Sequence, residues 1–98
     1  MNVTDEWACS APAGEELDRI CAKWLGIPGE YSTEWAAAGP LLEAMDGQLE
    51  PPMRSGMDTW LCYVWHTHHG ERAPTPQLAI ARVCATLVAR GITKEDME

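Results

Sequence analysis

Between Met57 and Thr67 the chain reads Trp60-Leu61-Cys62-Tyr63-Val64-Trp65, and an extended backbone sends alternate side chains to opposite faces. Trp60, Cys62, Val64 and His66 would share one face; Leu61, Tyr63, Trp65 and Thr67 would share the other. Both faces are apolar, so both need cover, which calls for helices above and below a sheet. Two segments have the spacing to provide it. Leu17, Ile20, Cys21, Trp24 and Leu25 recur at i, i+3, i+4, i+7 and i+8, and Ile80, Val83, Cys84, Leu87 and Val88 repeat that interval. Each reads as one apolar stripe on a helix.

The first of these helices opens on Glu15 and Glu16, with Asp18 in the same turn, where carboxylates favour the N-terminal dipole, and it stops at Gly26 and Pro28. Ser32 or Thr33 caps a second helix starting at Glu34, with a kink or restart expected at Gly39-Pro40 and an end at Asp46-Gly47. Pro51-Pro52 confine any strand in 48–54 to a sheet edge, and Ser55-Gly56 reads as a turn. Residues 70–74 read as a loop. Thr75-Pro76 then caps the last helix, which closes at Arg90-Gly91. The expected fold is α+β: a small αβα sandwich with a short antiparallel sheet flanked by two to three helices. Residues 1–14 read as a flexible N-terminal tail, 15–91 as the single domain and 92–98 as a C-terminal tail. Two or three strands make a marginal sheet alone, so a homodimer or higher oligomer is expected.

Fifteen acidic against seven basic residues give a formal charge of −8. Residues 1–50 carry the imbalance, with Arg19 and Lys23 as their only Lys or Arg. Such a surface repels phosphate backbones, which argues against direct binding of duplex nucleic acid, and it suits a basic groove on a partner. The same charge would also keep a small domain in solution. No apolar run reaches the ~18 residues that span a bilayer, and the first residues lack a signal-peptide pattern, so no membrane association and a cytoplasmic location are expected. With nothing pointing to export, Cys9, Cys21, Cys62 and Cys84 are expected as free thiols.

Leu17 to Trp24, the run Tyr31-Ser32-Thr33-Glu34-Trp35-Ala36-Ala37-Ala38, the Trp-rich strand and Ala73-Pro74-Thr75-Pro76-Gln77-Leu78-Ala79-Ile80-Ala81-Arg82 together resemble the phage ABA sandwich domain family. The resemblance covers most of residues 15–91 and implies a sheet between helices, in a phage or prophage protein with no catalytic motif to carry over. Gly39-Pro40 departs from the smooth helix expected after the alanines.

Cys62, His66 and His68 would share a strand face and are weak candidates for a metal site, against a solvated strand end as the alternative. Nucleophile elbows, phosphate-binding glycine loops and dinucleotide fingerprints do not occur, so neither an enzyme nor a cofactor is expected. Trp24, Trp35, Trp60 and Trp65 read as core; Trp7, on an acidic segment, reads as a partner anchor. The first functional expectation is a non-enzymatic binding protein, an antagonist of host antiviral defence of the anti-CRISPR kind, operating in the host cytoplasm. It would present Asp5, Glu6, Trp7, Glu15, Glu16, Asp18 and Glu30 to a basic groove of a host protein complex that handles nucleic acid. The second is an oligomeric sponge for a cyclic-nucleotide-type signal, using Arg54, Tyr63, Trp65, Arg72, Arg82 and Arg90. A structural or regulatory phage component is the third.

Overall fold

The computed structural model describes residues 3–52 and 58–97. Helix α4 (Pro76–Ala89) organises everything else. Thr75 caps it by accepting a hydrogen bond from the Leu78 amide at 3.2 Å, and Pro76 occupies the first turn, where a missing amide hydrogen costs nothing. Its sequence interleaves Leu78, Ile80, Val83 and Leu87 with Ala79, Ala81 and Ala85, and every one of these residues is buried, along with Cys84 and Thr86. Burial on all sides makes α4 a central helix, more enclosed than its amphipathic stripe alone suggests.

The sheet is an antiparallel meander of β1 (Gly47–Glu50), β2 (Trp60–Val64) and β3 (His69–Ala73), in the order β1-β2-β3. Cys62, Val64 and Ala73 face α4 and are buried, and Glu71 reaches the Thr86 hydroxyl of that helix. On the far side of α4 lies α2 (Glu15–Leu25), which packs Leu17, Cys21 and Leu25 into the core as its spacing requires. Helix α3 (Trp35–Ala44) touches α4 and β1, and the short α1 (Asp5–Ala8) lies along α4. The α+β class, the antiparallel sheet and the flanking helices are as expected. Among the described helices, α4 lies against the sheet and α2 packs on α4, which is apolar enough all round to take the middle. The outer face of β2 keeps Leu61 and Tyr63 half-buried and Trp65 55% exposed, so Trp65 is not a core residue.

Four further expectations change. The segment read as a flexible lead-in forms α1 and buries Ala8 and Ala11; Arg82 Nε donates to the Ala11 carbonyl at 2.8 Å, and Trp7 packs against the core. The segment after α4 also docks, with Trp24 Nε1 donating to the Ile92 carbonyl at 2.9 Å and Met97 packed on the core. Helix α3 runs through Pro40, which stands on its exposed side, so the ring costs the one hydrogen bond to the Ala36 carbonyl and the helix does not end there. β2 stops at Val64, and residues 65–68 form a turn in which His68 takes a left-handed φ of 52°. The stretch expected as a loop therefore contains β3. Gly70 is needed in it: a Cβ there would lie 2.9 Å from the Tyr63 ring and 3.0 Å from the Cys62 carbonyl. The Ser55-Gly56 turn and Met57 fall outside the described residues.

Cys21, Cys62 and Cys84 are buried and only Cys9 is exposed. At about pH 8 native protein should therefore take up one alkyl group per chain, and denatured protein four, counted by mass spectrometry. Burial pushes the Cys62 thiol up to about 12. In the unfolded chain it would ionise near 8.5, so its stabilising contribution is complete below that pH and is lost as pH rises towards 12. The advantage of wild type over Cys62→Ala in thermal midpoint should narrow across that alkaline window.

Candidate functional site

A solvent-facing helix normally turns polar residues outward. Helix α3 does the reverse. Its outward stripe is Trp35, Ala36, Pro40 and Glu43, and the Trp35 indole lies along the helix near Gly39. Trp35 is 51% exposed, which removes it from the core position its spacing suggested. The 26–31 loop, facing Ala36, Ala37 and Pro40 of α3, raises Ile27, 57% exposed, beside Pro28. The loop comes close because Gly29 has no side chain: a Cβ there would lie 3.1 Å from that of Ala37. Tyr31, buried beneath, donates its hydroxyl hydrogen to the Ile27 carbonyl and holds the loop crest in place. Between loop and helix lies a groove of about 340 Å³ lined by Leu25, Ile27, Pro28, Ala36, Ala37 and Pro40, with Tyr31 at its base and Glu34 at its mouth.

Glu34 is the carboxylate that lines the groove, and Lys94 donates from outside it to the carbonyl of Leu25, another lining residue. Residues 24–53 contain Glu30, Glu34, Glu43, Asp46 and Glu50 and no lysine, arginine or histidine. Glu30, Glu34, Glu43 and Asp46 are exposed. The groove is thus an apolar patch edged by Glu34 within an acidic stretch of the chain, chemistry suited to a basic segment with an apolar anchor.

The seven residues expected to contact a partner do not form one surface. Asp18 is structural: its Oδ1 accepts from the Ser32 amide at 2.7 Å and the Ser32 hydroxyl at 2.6 Å, and Ser32 Oγ accepts from the Gly14 amide at 3.0 Å. That network pins the start of α2 to the loop before α3. Glu15 pairs with Arg19 at 3.0 Å on the surface and Glu16 is exposed beside it. Asp5 pairs with Arg90 at 3.3 Å, and with Glu6 it borders a cleft of about 280 Å³ that also contains Cys9, His69, Glu71 and Thr86. Glu71 is held there by His69 Nε2 at 2.5 Å and Thr86 Oγ1 at 3.2 Å, fastening β3 to α4. Trp7 is half-buried against the core. Of the seven, Glu30 is the one in the acidic stretch around the groove. Reading the acidic half as one surface missed Ile27, Trp35, Pro40, Glu34 and Glu43, although the run of residues 24–53 without a base was visible in the sequence.

The alternative set also separates. Arg82 directs its guanidinium to the carbonyls of Ala11 and Arg72, at 2.8 and 2.9 Å, and Arg90 faces Asp5, whereas Tyr63 and Trp65 lie on the outer side of the sheet, as does Arg72 by its register opposite Leu61. Arg54 lies outside the described residues. The weak metal candidates do not share a face: Cys62 points into the core, and His66 and His68 are exposed on the 65–68 turn. Among the described residues, no three of His, Cys, Asp and Glu converge in a way that could hold a metal ion. A larger cavity of about 550 Å³ between the ends of α2 and α4 is lined by Ile20, Trp24, Val88 and Ile92 with Lys23 and Lys94. Lys23 lies in the last turn of α2 and Lys94 donates to the Leu25 carbonyl, so both lysines answer the negative end of that helix.

Asp18→Ala should lower stability by about 1–3 kcal/mol in denaturant melts, since it strands the Ser32 amide and hydroxyl. Glu16→Lys should stay within about 0.5 kcal/mol of wild type in the same melts. No family model, curated protein or solved structure matches the chain.

Proposed function

We propose that the protein is a non-enzymatic binding protein that captures a basic, apolar-anchored segment of a partner in the groove beside α3. The observation that carries this reading is the conjunction of exposed Trp35 and Ile27 with a stretch of thirty residues that contains five carboxylates and no cation. Trp35, between the groove residues Glu34 and Ala36 in sequence, is an exposed aromatic anchor that a partner would desolvate, and the carboxylates of this stretch speed encounter with a cationic partner and disfavour anionic ones. Basic segments with interspersed apolar residues are common where proteins handle nucleic acid. An antagonist that masks such a segment would act by occupancy, in keeping with the phage-type resemblance of the sequence and the expectation of a host nucleic-acid-handling complex as target. No described helix is long and apolar enough to cross a membrane, so the partner is sought among non-membrane fractions first.

The test is a comparative capture from host lysate with three immobilised baits: wild type, Trp35→Ala, and the double variant Glu34→Lys/Glu43→Lys. A partner of this groove is retained by wild type, is lost from both variants, and elutes from wild type as salt rises through the range where surface charges are screened. Trp35 is half exposed, so Trp35→Ala should leave the thermal midpoint nearly unchanged while weakening capture at least tenfold. Identical capture profiles for the three baits would overturn the reading.

A further inference from the structure

Helix α2 ends at Gly26, with a φ of 86°, and α4 gives way to Gly91, with a φ of 73°. Both turns are open: a Cβ at either glycine would meet no atom within 4 Å. Between these helix ends lies the cavity of about 550 Å³, inside the range of roughly 300–1,000 Å³ typical of small-molecule pockets. Its apolar wall is Ile20, Trp24, Val88 and Ile92, each half-buried, and the Trp24 indole is held by its hydrogen bond to the Ile92 carbonyl. The cavity also collects a charge that is scarce in this chain. Lys23 and Lys94 are the only lysines of the sequence, and both line it, in a chain of net charge −8. Among the described residues, Glu95 is the remaining charged group of the lining, and it is exposed. Neighbouring Asp96 is turned to Thr93, whose amide and hydroxyl donate to it at 2.8 and 3.1 Å. The lining is therefore net positive. Neutralising the end of α2 uses part of that charge, since Lys94 donates to the Leu25 carbonyl at 3.4 Å, which leaves two of its three ammonium hydrogens for a ligand. Lys23 is exposed and makes no ion pair with a described carboxylate.

We propose that this cavity binds a small amphipathic carboxylate, its hydrocarbon body against Ile20, Trp24, Val88 and Ile92 and its head between Lys23 and Lys94. Covering the half-buried wall supplies the affinity, and the ammonium groups select the head. A singly charged head suits the lining better than a phosphate dianion, which would meet both Glu95 and the negative end of α2. The sign of the preference is diagnostic. An amphiphile held loosely anywhere on a chain of charge −8 would be favoured by a cationic head, so a preference for the anion marks a local site. Leu25 is the one described residue common to this lining and to the groove beside α3, and the proposal stands whatever that groove captures.

Isothermal titration calorimetry with decanoate, kept below its micelle concentration, should show one saturable site per chain. Decylammonium, with the same tail and the opposite charge, should bind wild type about tenfold more weakly or less. Lys23→Glu should weaken decanoate by about tenfold, and Lys23→Glu/Lys94→Glu should reverse the preference in favour of decylammonium. Glu95→Gln removes the opposing carboxylate and should tighten decanoate by about two- to fivefold. Trp35→Ala, in the groove beside α3, should leave decanoate binding unchanged, so this proposal and the groove reading fail separately. Circular dichroism and melting curves establish that each variant is folded. If a lysine variant is not, the salt dependence of wild type decides: added salt should weaken decanoate and leave decylammonium no weaker relative to it. Absence of decanoate binding, several weak sites in place of one, a wild-type preference for decylammonium, undiminished decanoate binding by Lys23→Glu, or its loss in Trp35→Ala would each overturn the proposal.

Discussion

The rest of the structure depends on α4 being approachable from every side. Alanine at 79, 81 and 85 keeps the helix thin where neighbours press on it, and Leu78, Ile80, Val83 and Leu87 fill the spaces between. A helix so placed contributes little to the surface and is the element that the others share: the sheet against one side, α2 against another, α1 and α3 at the flanks. Close packing of this kind leaves no slack, so the interior is a poor place to look for function. What the protein offers to other molecules has to lie on the outer layers.

The outer layers divide the work. The early acidic residues that look interchangeable in the sequence have separate duties once folded: Asp18 is spent on Ser32, Asp5 on Arg90 and Glu15 on Arg19. Arg82, which looks like a cation available to a ligand, is consumed by two main-chain carbonyls. Asp18 and Arg82 are committed inward to part-buried hydrogen bonds, whereas the Glu15–Arg19 and Asp5–Arg90 pairs stay on the surface. The α3 groove is different because its lining is largely apolar, with Ile27, Pro28, Ala36 and Pro40 exposed, and Glu34 at its edge has no cation among residues 24–53 to answer it.

The elements most legible in the sequence were those with local signals. The stripe from Leu17 to Leu25, the Thr75-Pro76 cap and the edge position of the strand before Pro51 all follow from spacing or from proline chemistry. Strand β3 was illegible because Glu71 and Arg72 belong to no apolar alternation; it exists through pairing with β2 and through the hold of Thr86 and His69 on Glu71. The docking of α1 was hidden for the same reason, since its partners are 71 and 85 residues away along the chain. Trp35 was misassigned because a helical interval says that residues share a face without saying which face is covered. The acidic stretch was there to be read; that it borders a groove depends on Gly29 and Tyr31, whose effect appears only after folding.

The clasp between Arg82 and the Ala11 carbonyl has a consequence for how the protein is made. A chain leaving the ribosome presents α1, α2, α3 and the first strands well before α4 emerges, and each of them waits with its apolar side uncovered. Few of the long-range contacts can close early, because the closing partner is the last long helix synthesised, and non-local closure is slow. Productive folding is therefore a late, nearly all-at-once event, and a nascent chain stalled before residue 76 would be a substrate for chaperones or proteases in place of a partly working protein.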